Sequence, residues 1–175
     1  MMREGKKVCL RSLRDDDILM LFQWINNPEL IQFTNTFRPV SEAEQRIWFQ
    51  SLSERKDQIV LGIEARKEER LIGTCGLYAI EWPNRKAEVR IKIGDRSYWG
   101  RGYGKEALAL LLDFAFQDLN LRKLWLRVLS TNERALKLYK AVGFEEEGVL
   151  KEDMYIRGHY DDLIVMGLLR KDVVK

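Results

Sequence analysis

The sequence predicts a mixed α/β fold in which one central sheet carries helices on both faces. Three observations predict it. Apolar residues alternate in runs of strand length, other apolar residues recur at helical spacing, and turn or cap residues separate the two kinds of run. The resulting order is β-α-α-β-β-β-α-β-α-β-β, and 175 residues suit a single domain spanning 1–175.

Val8 to Leu13 reads as the first strand. Asp15, Asp16 and Asp17 then precede Ile18, Leu21, Phe22 and Ile25, and acidic residues at a helix start complement its dipole, so these carboxylates read as caps. Asn27-Pro28 ends or kinks that helix. Leu30 to Val40 reads as irregular. Ser41-Glu42-Ala43-Glu44 has the capping-box pattern and opens a second helix carrying Ile47, Trp48 and Leu52. Three strands follow: Ile59 to Ala65, Leu71 to Ile80, and a run in which Val89, Ile91 and Ile93 alternate with Glu88, Arg90 and Lys92. The helix from Lys105 to about Asp118 is apolar on most sides and belongs against the sheet. Lys123 to Leu129 is the next strand. A short helix follows, with Ala135, Leu138, Tyr139 and Val142 on one stripe and Gly143 as its stop. Phe144 onward and Asp161 to Leu169 close the chain as strands.

Composition excludes several classes. Apolar residues make up 46% and charged residues 33%, an ordinary globular balance. The 30 basic side chains are scattered among 27 carboxylates, so the net +3 forms no tract for nucleic acid. No apolar run has membrane-spanning length, and Met1 to Lys7 lacks the apolar centre of a secretion signal, which predicts a cytoplasmic protein without membrane partners. Cys9 and Cys75 with the lone His159 make a poor metal set and no disulfide framework, so no metal is expected. His159 reads as a surface or packing residue.

Gly100-Arg101-Gly102-Tyr103-Gly104, directly before an apolar helix, is the most informative stretch. Alternate glycines let backbone N–H groups approach a ligand, and the helix N-terminus behind them attracts phosphate. Arg101 and Lys105 add positive charge. A P-loop reading fails, because Trp99 stands where its first glycine belongs and Glu106 where its hydroxyl belongs. Gly102-Tyr103-Gly104-Lys105-Glu106-Ala107 meets the dinucleotide pattern, but Arg122 occupies the region of its required acidic residue. A third reading is a cradle for the pyrophosphate of an acyl-coenzyme A. A glycine-rich turn without a ligand is the bland alternative.

Three blocks carry a resemblance that favours the third reading. Tyr98 to Ala107 is similar to the Gln/Arg-x-x-Gly-x-Gly/Ala loop of the Gcn5-related N-acetyltransferases (GNAT). Asn132 to Tyr139, followed by Gly143-Phe144, resembles that family's second block. Glu147 to Leu150 with Tyr155 to Asp162 resembles the C-terminal hairpin of its branch of ribosomal-protein N-terminal and spermidine acetyltransferases. The one departure is Trp99, which replaces the usual Gln or Arg. The resemblance implies a mixed, mostly antiparallel sheet, acetyl-CoA as cosubstrate, and transfer of its acetyl group to a primary amine by direct attack.

The resemblance also places residues. Backbone groups of Ile91, Lys92 and Ile93 pair with the pantetheine arm, and Trp99, Gly100, Arg101, Gly102, Tyr103, Gly104 and Lys105 surround the pyrophosphate. Asn132 caps its helix and touches the pantetheine arm or a nearby amide. Tyr139 is placed beside the sulfur as general acid, since a phenol of pKa about 10 can protonate a thiolate. A core tyrosine on the helix stripe explains the same residue. Glu88 reads equally as the base and as a solvent-facing strand residue. Trp24, Asn27, Phe33, Trp82 and Tyr155 are candidate acceptor walls, with Asn26 and Phe37. Carboxylates are too thinly spread for a long polycation, so the expected acceptor is a peptide N-terminus, an amino sugar or another small amine. A polyamine acetyltransferase and a non-catalytic acyl-CoA-binding module are the alternatives, and a homodimer is compatible with each.

Overall fold

A computed structural model of the protein describes residues 3–34, 36–156 and 158–170. Its strands are β1 (Arg3–Glu4), β2 (Val8–Ser12), β3 (Ile59–Ala65), β4 (Arg70–Glu81), β5 (Lys86–Ile93), β6 (Lys123–Leu129), β7 (Glu145–Ile156) and β8 (His159–Leu169). Its helices are α1 (Ile18–Ile25), α2 (Pro28–Ile31), α3 (Glu42–Ser51), α4 (Tyr103–Asp113) and α5 (Glu133–Ala141). Together the strands form one eight-stranded sheet in the order β1-β2-β3-β4-β5-β6-β8-β7. Every neighbouring pair is antiparallel except β5 and β6, which run parallel. This is the mixed, mostly antiparallel sheet that the sequence predicts.

Local chemistry explains most boundaries. Ser41 accepts from the Glu44 N–H at 3.2 Å while the Glu44 carboxylate accepts from the Ser41 N–H at 2.8 Å, which closes the capping box of α3. Gly143 stops α5 with φ of 100°, a conformation that costs a side chain about 1 kcal/mol or more. Two expectations need correction here. The stretch from Leu30 is not wholly irregular, because Pro28 sits at the first position of the short α2 and Asn27 caps it by accepting from the Glu29 N–H. And α4 begins at Tyr103 rather than Lys105, then widens into a π-helical turn over Phe114–Asp118.

Two buried clusters hold the layers together. The larger joins Leu108 and Leu111 of α4 to Val8, Ile63, Leu77, Val89, Leu124 and Met166 on one face of the sheet. Each such side chain contributes about 1.5–3 kcal/mol on burial. The smaller joins Leu21 and Trp24 of α1 and Leu30 of α2 to Leu71. Leu71 pairs with Glu64 and Gly73 with Ile63, so β4 carries one extra residue in a bulge, beside which Ile72 packs into the larger cluster and Leu71 into the smaller. Beneath α1, Arg11 grips the Asp17 carboxylate through both guanidinium ends, at 2.8 and 3.0 Å, and also binds Glu64. Asp17 is a buried ion-pair partner of Arg11 and also accepts from the Arg14 N–H at 2.7 Å, which caps the short turn where Asp15 and Asp16 sit exposed. Ile47, expected on the apolar stripe of α3, is 65% exposed. Cys9 and Cys75 are both buried and free. Among the described residues no helix is long and apolar enough to cross a membrane.

Candidate active site

β5 and β6 pair only at Lys86–Lys123, Ala87–Leu124 and Glu88–Trp125. Beyond Glu88 the strands diverge, so the edge of β5 from Val89 to Ile93 has no partner strand on that side. β5 is held on its other edge by β4, and β6 by β8, so the divergence is built into the sheet. A cleft of about 960 Å³ fills the wedge, lined by Glu88 through Ile93 on one wall and Arg127 through Leu129 on the other. Uncovered backbone donors and acceptors in a cleft are ready to pair with an extended, amide-bearing ligand.

The glycine loop closes one end of this wedge. Gly100 and Gly102 adopt φ of 70° and 84°, where a β-carbon is strained, and Gly102 stands directly before α4. Gly104 differs. A β-carbon there would make ordinary contacts of 3.6 Å with Ile93 and 3.9 Å with Leu138, so its bareness matters only when a ligand approaches. Lys7 clamps the loop by donating from Nζ to the Arg101 carbonyl at 2.8 Å, while its N–H donates to the Glu106 carboxylate at 2.7 Å. Lys105 lines the cleft, but Arg101 and Tyr103 do not. Arg101 donates to the Ser97 carbonyl, and the Tyr103 ring packs edge-on against Tyr98. Their side chains belong to the scaffold of the loop.

Trp99 lines the cleft and donates from Nε1 to the Ile93 carbonyl at 2.9 Å, which pins the loop to the end of β5. Its ring carries Arg134 at 3.7 Å, a cation–π contact from the first turn of α5. Asn132 caps α5 by accepting from the Ala135 N–H and also lines the cleft. Two turns later Tyr139 is buried, edge-on to Phe144 at 5.9 Å, yet still borders the cleft. Its hydroxyl makes no hydrogen bond among the described residues, and burial pushes its pKa up to about 12.

Glu88 does not face solvent. It is buried, accepts from Arg90 at 2.7 Å and lies 3.6 Å from the Arg127 guanidinium. Lys92 extends from the same face of β5 to the Trp24 carbonyl at 3.3 Å, and burial pulls its pKa down to about 8. Of the expected acceptor walls, only Phe33 lines the cleft. Trp24 is core, packed where a Gly94 β-carbon would collide with its ring. Asn27 is spent on capping α2. Trp82 lies beyond the far end of the β4–β5 pair and donates to the Lys56 carbonyl. Tyr155 is exposed and stacks on Tyr160, while its neighbour Met154 lines the cleft instead. Asn26 binds the Val40 backbone through both ends of its amide, and Phe37 is exposed. Tyr78, Arg127 and Arg134 were not singled out from the sequence. Strand alternation could have found Arg127, but nothing local marks which exposed arginines meet across a sheet.

Residues 7–145 match the acetyltransferase (GNAT) domain family. The chain belongs to the GNAT acetyltransferases. It is 29% identical over 170 residues to the uncharacterised N-acetyltransferase p20 of Bacillus licheniformis, covering 95% of each chain. It is 30% identical over 168 residues to a spermidine N(1)-acetyltransferase of Vibrio cholerae, again covering 95% of each. The crystal structure of spermidine N-acetyltransferase from Vibrio cholerae in complex with CoA and spermine superposes with a TM-score of 0.87 at 29% identity, covering 94% of this chain and 96% of that one. As a GNAT enzyme the protein is an acyltransferase that uses acetyl-CoA. The wedge, the two left-handed glycines and the cations Lys105 and Arg134 fit that molecule's pantetheine arm and phosphates.

Proposed function

We propose that this enzyme acetylates a primary amine on a small molecule or peptide whose body is neutral or of mixed charge, such as a peptide N-terminus or an amino sugar. The observation that carries the reading is the wedge between β5 and β6. The glycine loop stands at the Ile93 end of the β5 wall, Lys92 and Arg90 follow along that wall, and Glu88 marks the apex where β5 and β6 still pair. Acetyl-CoA supplies an acyl group that is already activated. As the amine nitrogen forms its bond to the acyl carbon and the carbon–sulfur bond breaks, the chain must position both partners and move two protons. The free N–H groups along Val89–Ile93 orient the thioester arm and offer a donor to the acyl oxygen as it gains charge. Tyr139 holds its proton at any working pH and gives it to the departing sulfur. The proton lost by the amine leaves toward Glu88, directly or through water.

A second acceptor, spermidine, is favoured by the 30% identity to spermidine acetyltransferases. The lining of the cleft argues the other way, because its buried carboxylate is already paired with two guanidinium groups. The experiment is a thermal-shift comparison of acetyl-CoA, NAD and NADP, followed by kcat/KM in a free-thiol assay on a peptide, an amino sugar and spermidine at one salt concentration. Stabilisation by acetyl-CoA alone, with peptide or sugar ahead, is expected. A tenfold lead for spermidine would sink the first acceptor class.

A further inference from the structure

We propose that the acceptor carries an oxyanion, a carboxylate or a phosphate, a few bonds from its amine, and that Arg90, Arg127 and Lys92 receive it. The inference rests on the acyl-transfer reading above and names the substrate class for the same site.

The alternation of β5 puts Glu88, Arg90 and Lys92 on one face, opposite Tyr78, Gly76 and Thr74 of β4. Gly76 leaves the position across from Arg90 bare, and the guanidinium lies over the Tyr78 ring at 4.5 Å. From the other wall, Arg127 of β6 reaches the same carboxylate. Two guanidinium groups from diverging strands thus converge on Glu88. Each has five N–H donors, and Glu88 occupies only part of them. Their side chains are 56% and 41% exposed, so the remaining donors are accessible along the cleft that both line. Lys92 has a backbone carbonyl as its partner and no carboxylate among the described residues.

The charged residues along this face of β5 and the strands facing it are therefore Arg90, Lys92 and Arg127 against Glu88 and Asp153, and Asp153 is exposed on β7. Burying Lys92 is unfavourable for its charge, as the lowered pKa shows, and a ligand oxyanion would offset that cost. A polyamine would meet the same cations with its own positive charges and would have to take Glu88 from both arginines. An amine flanked by a carboxylate or phosphate presents the opposite pattern. Its ammonium end can approach Glu88 while its oxyanion takes the free guanidinium donors, often in the bidentate geometry that arginine favours.

The test uses matched twins that differ only in the oxyanion: an amino acid and its amide, an amino-sugar phosphate and the bare amino sugar, with spermidine alongside. Measured at low salt with saturating acetyl-CoA, at least one oxyanion-bearing twin should lead its neutral partner by about tenfold or more in kcat/KM. The pair that shows the gap tells carboxylate from phosphate. Arg127→Gln should shrink the gap, and Arg127→Lys should restore part of it. Equal twins, a neutral lead or a spermidine lead overturns the proposal. A binding arm runs in parallel, reading the thermal shift of the CoA-loaded enzyme with each N-acetylated twin. If no amine is acetylated, the acyl-transfer reading fails separately. The binding arm then decides: an oxyanion preference lost in Arg127→Gln supports the inference, and equal binding of the twins rejects it.

Discussion

Replacing Tyr139 by Phe separates its chemistry from its packing, because the two depend on different atoms. The ring packs edge-on to Phe144 inside the larger cluster, and Phe keeps that contact. The hydroxyl has no hydrogen-bond partner among the described residues and borders the cleft, so its removal orphans nothing. Stability should change by less than about 1 kcal/mol, or roughly 2–4 °C in Tm for a chain of this size. Turnover should respond quite differently. If the phenol protonates the departing sulfur, kcat falls by about 10²-fold or more, equivalent to ~2.7 kcal/mol of barrier, with the acetyl-CoA Kd little changed. Burial pushes the phenol up to about 12 from its ordinary 10.0, so the wild-type rate profile should show no Tyr139 limb below about pH 10. The same shift bears on stability. A group whose folded pKa is raised contributes fully below pH 10.0 and loses that contribution as pH rises through about 12, a loss the Phe variant escapes. Stopped-flow thiol release, calorimetric binding and thermal melts over pH 7 to 11 measure all three. Near wild-type kcat would refute the general-acid assignment, and a Tm drop well beyond 4 °C would show that the hydroxyl is structural.

Gly102→Val forces a β-branched side chain to adopt φ of 84° at the mouth of α4, so acetyl-CoA affinity should fall by about tenfold or more in titration calorimetry. Undiminished affinity would reject the cradle. Glu88→Gln should lower kcat by about 10²-fold if Glu88 takes the proton that the nitrogen loses on acylation. An unchanged kcat with a raised acceptor KM would mean that Glu88 serves only to hold Arg90 and Arg127. Asp17→Asn leaves Arg11 buried with half its pairing, and breaking such pairs costs about 3–5 kcal/mol, which predicts a Tm lowered by roughly 6 °C or more. Burial raises the Asp17 pKa, but the Arg11 guanidinium and the Arg14 N–H outweigh it and hold the carboxyl below 3.8. That contribution is present above pH 3.8 and fades as pH falls further, so the Asn variant should lose the acid-side decline between the two states.

The elements legible in the sequence are those fixed by neighbours along the chain. The Ser41 capping box, the Gly143 stop and the Lys123–Leu129 strand depend on residues within a few positions, and they stand where the pattern puts them. The wedge depends on something else. Nothing local tells β5 to leave β6 after Glu88; that follows from which partners the far edges of both strands already have. The aromatic residues expected to wall the acceptor are hard to place from sequence for a related reason. Trp24, Trp82 and Tyr155 have the same affinity for core, turn and ligand, and only tertiary placement separates those uses. Trp99 shows the reverse case. It looks like a lost polar contact, yet its indole pins the loop to Ile93 and serves as a shelf for a guanidinium.

Seen as a mechanical object, the sheet is two panels joined by a short seam. One panel is β1 to β5 and the other is β6, β8 and β7; the sheet itself registers across the boundary at three residue pairs, while α4 packs over both panels. A molecule that lies along the open edge of β5 and touches β6 lengthens that seam from outside the chain. Its supply is then coupled to the durability of the fold, by about 2.7 kcal/mol at a hundredfold excess over Kd. If acetyl-CoA takes that place, as proposed above, a cell that runs short of it shortens the seam in every copy of this enzyme. Those amide protons of Val89 to Ile93 that face the cleft should exchange with solvent faster without acetyl-CoA than with it.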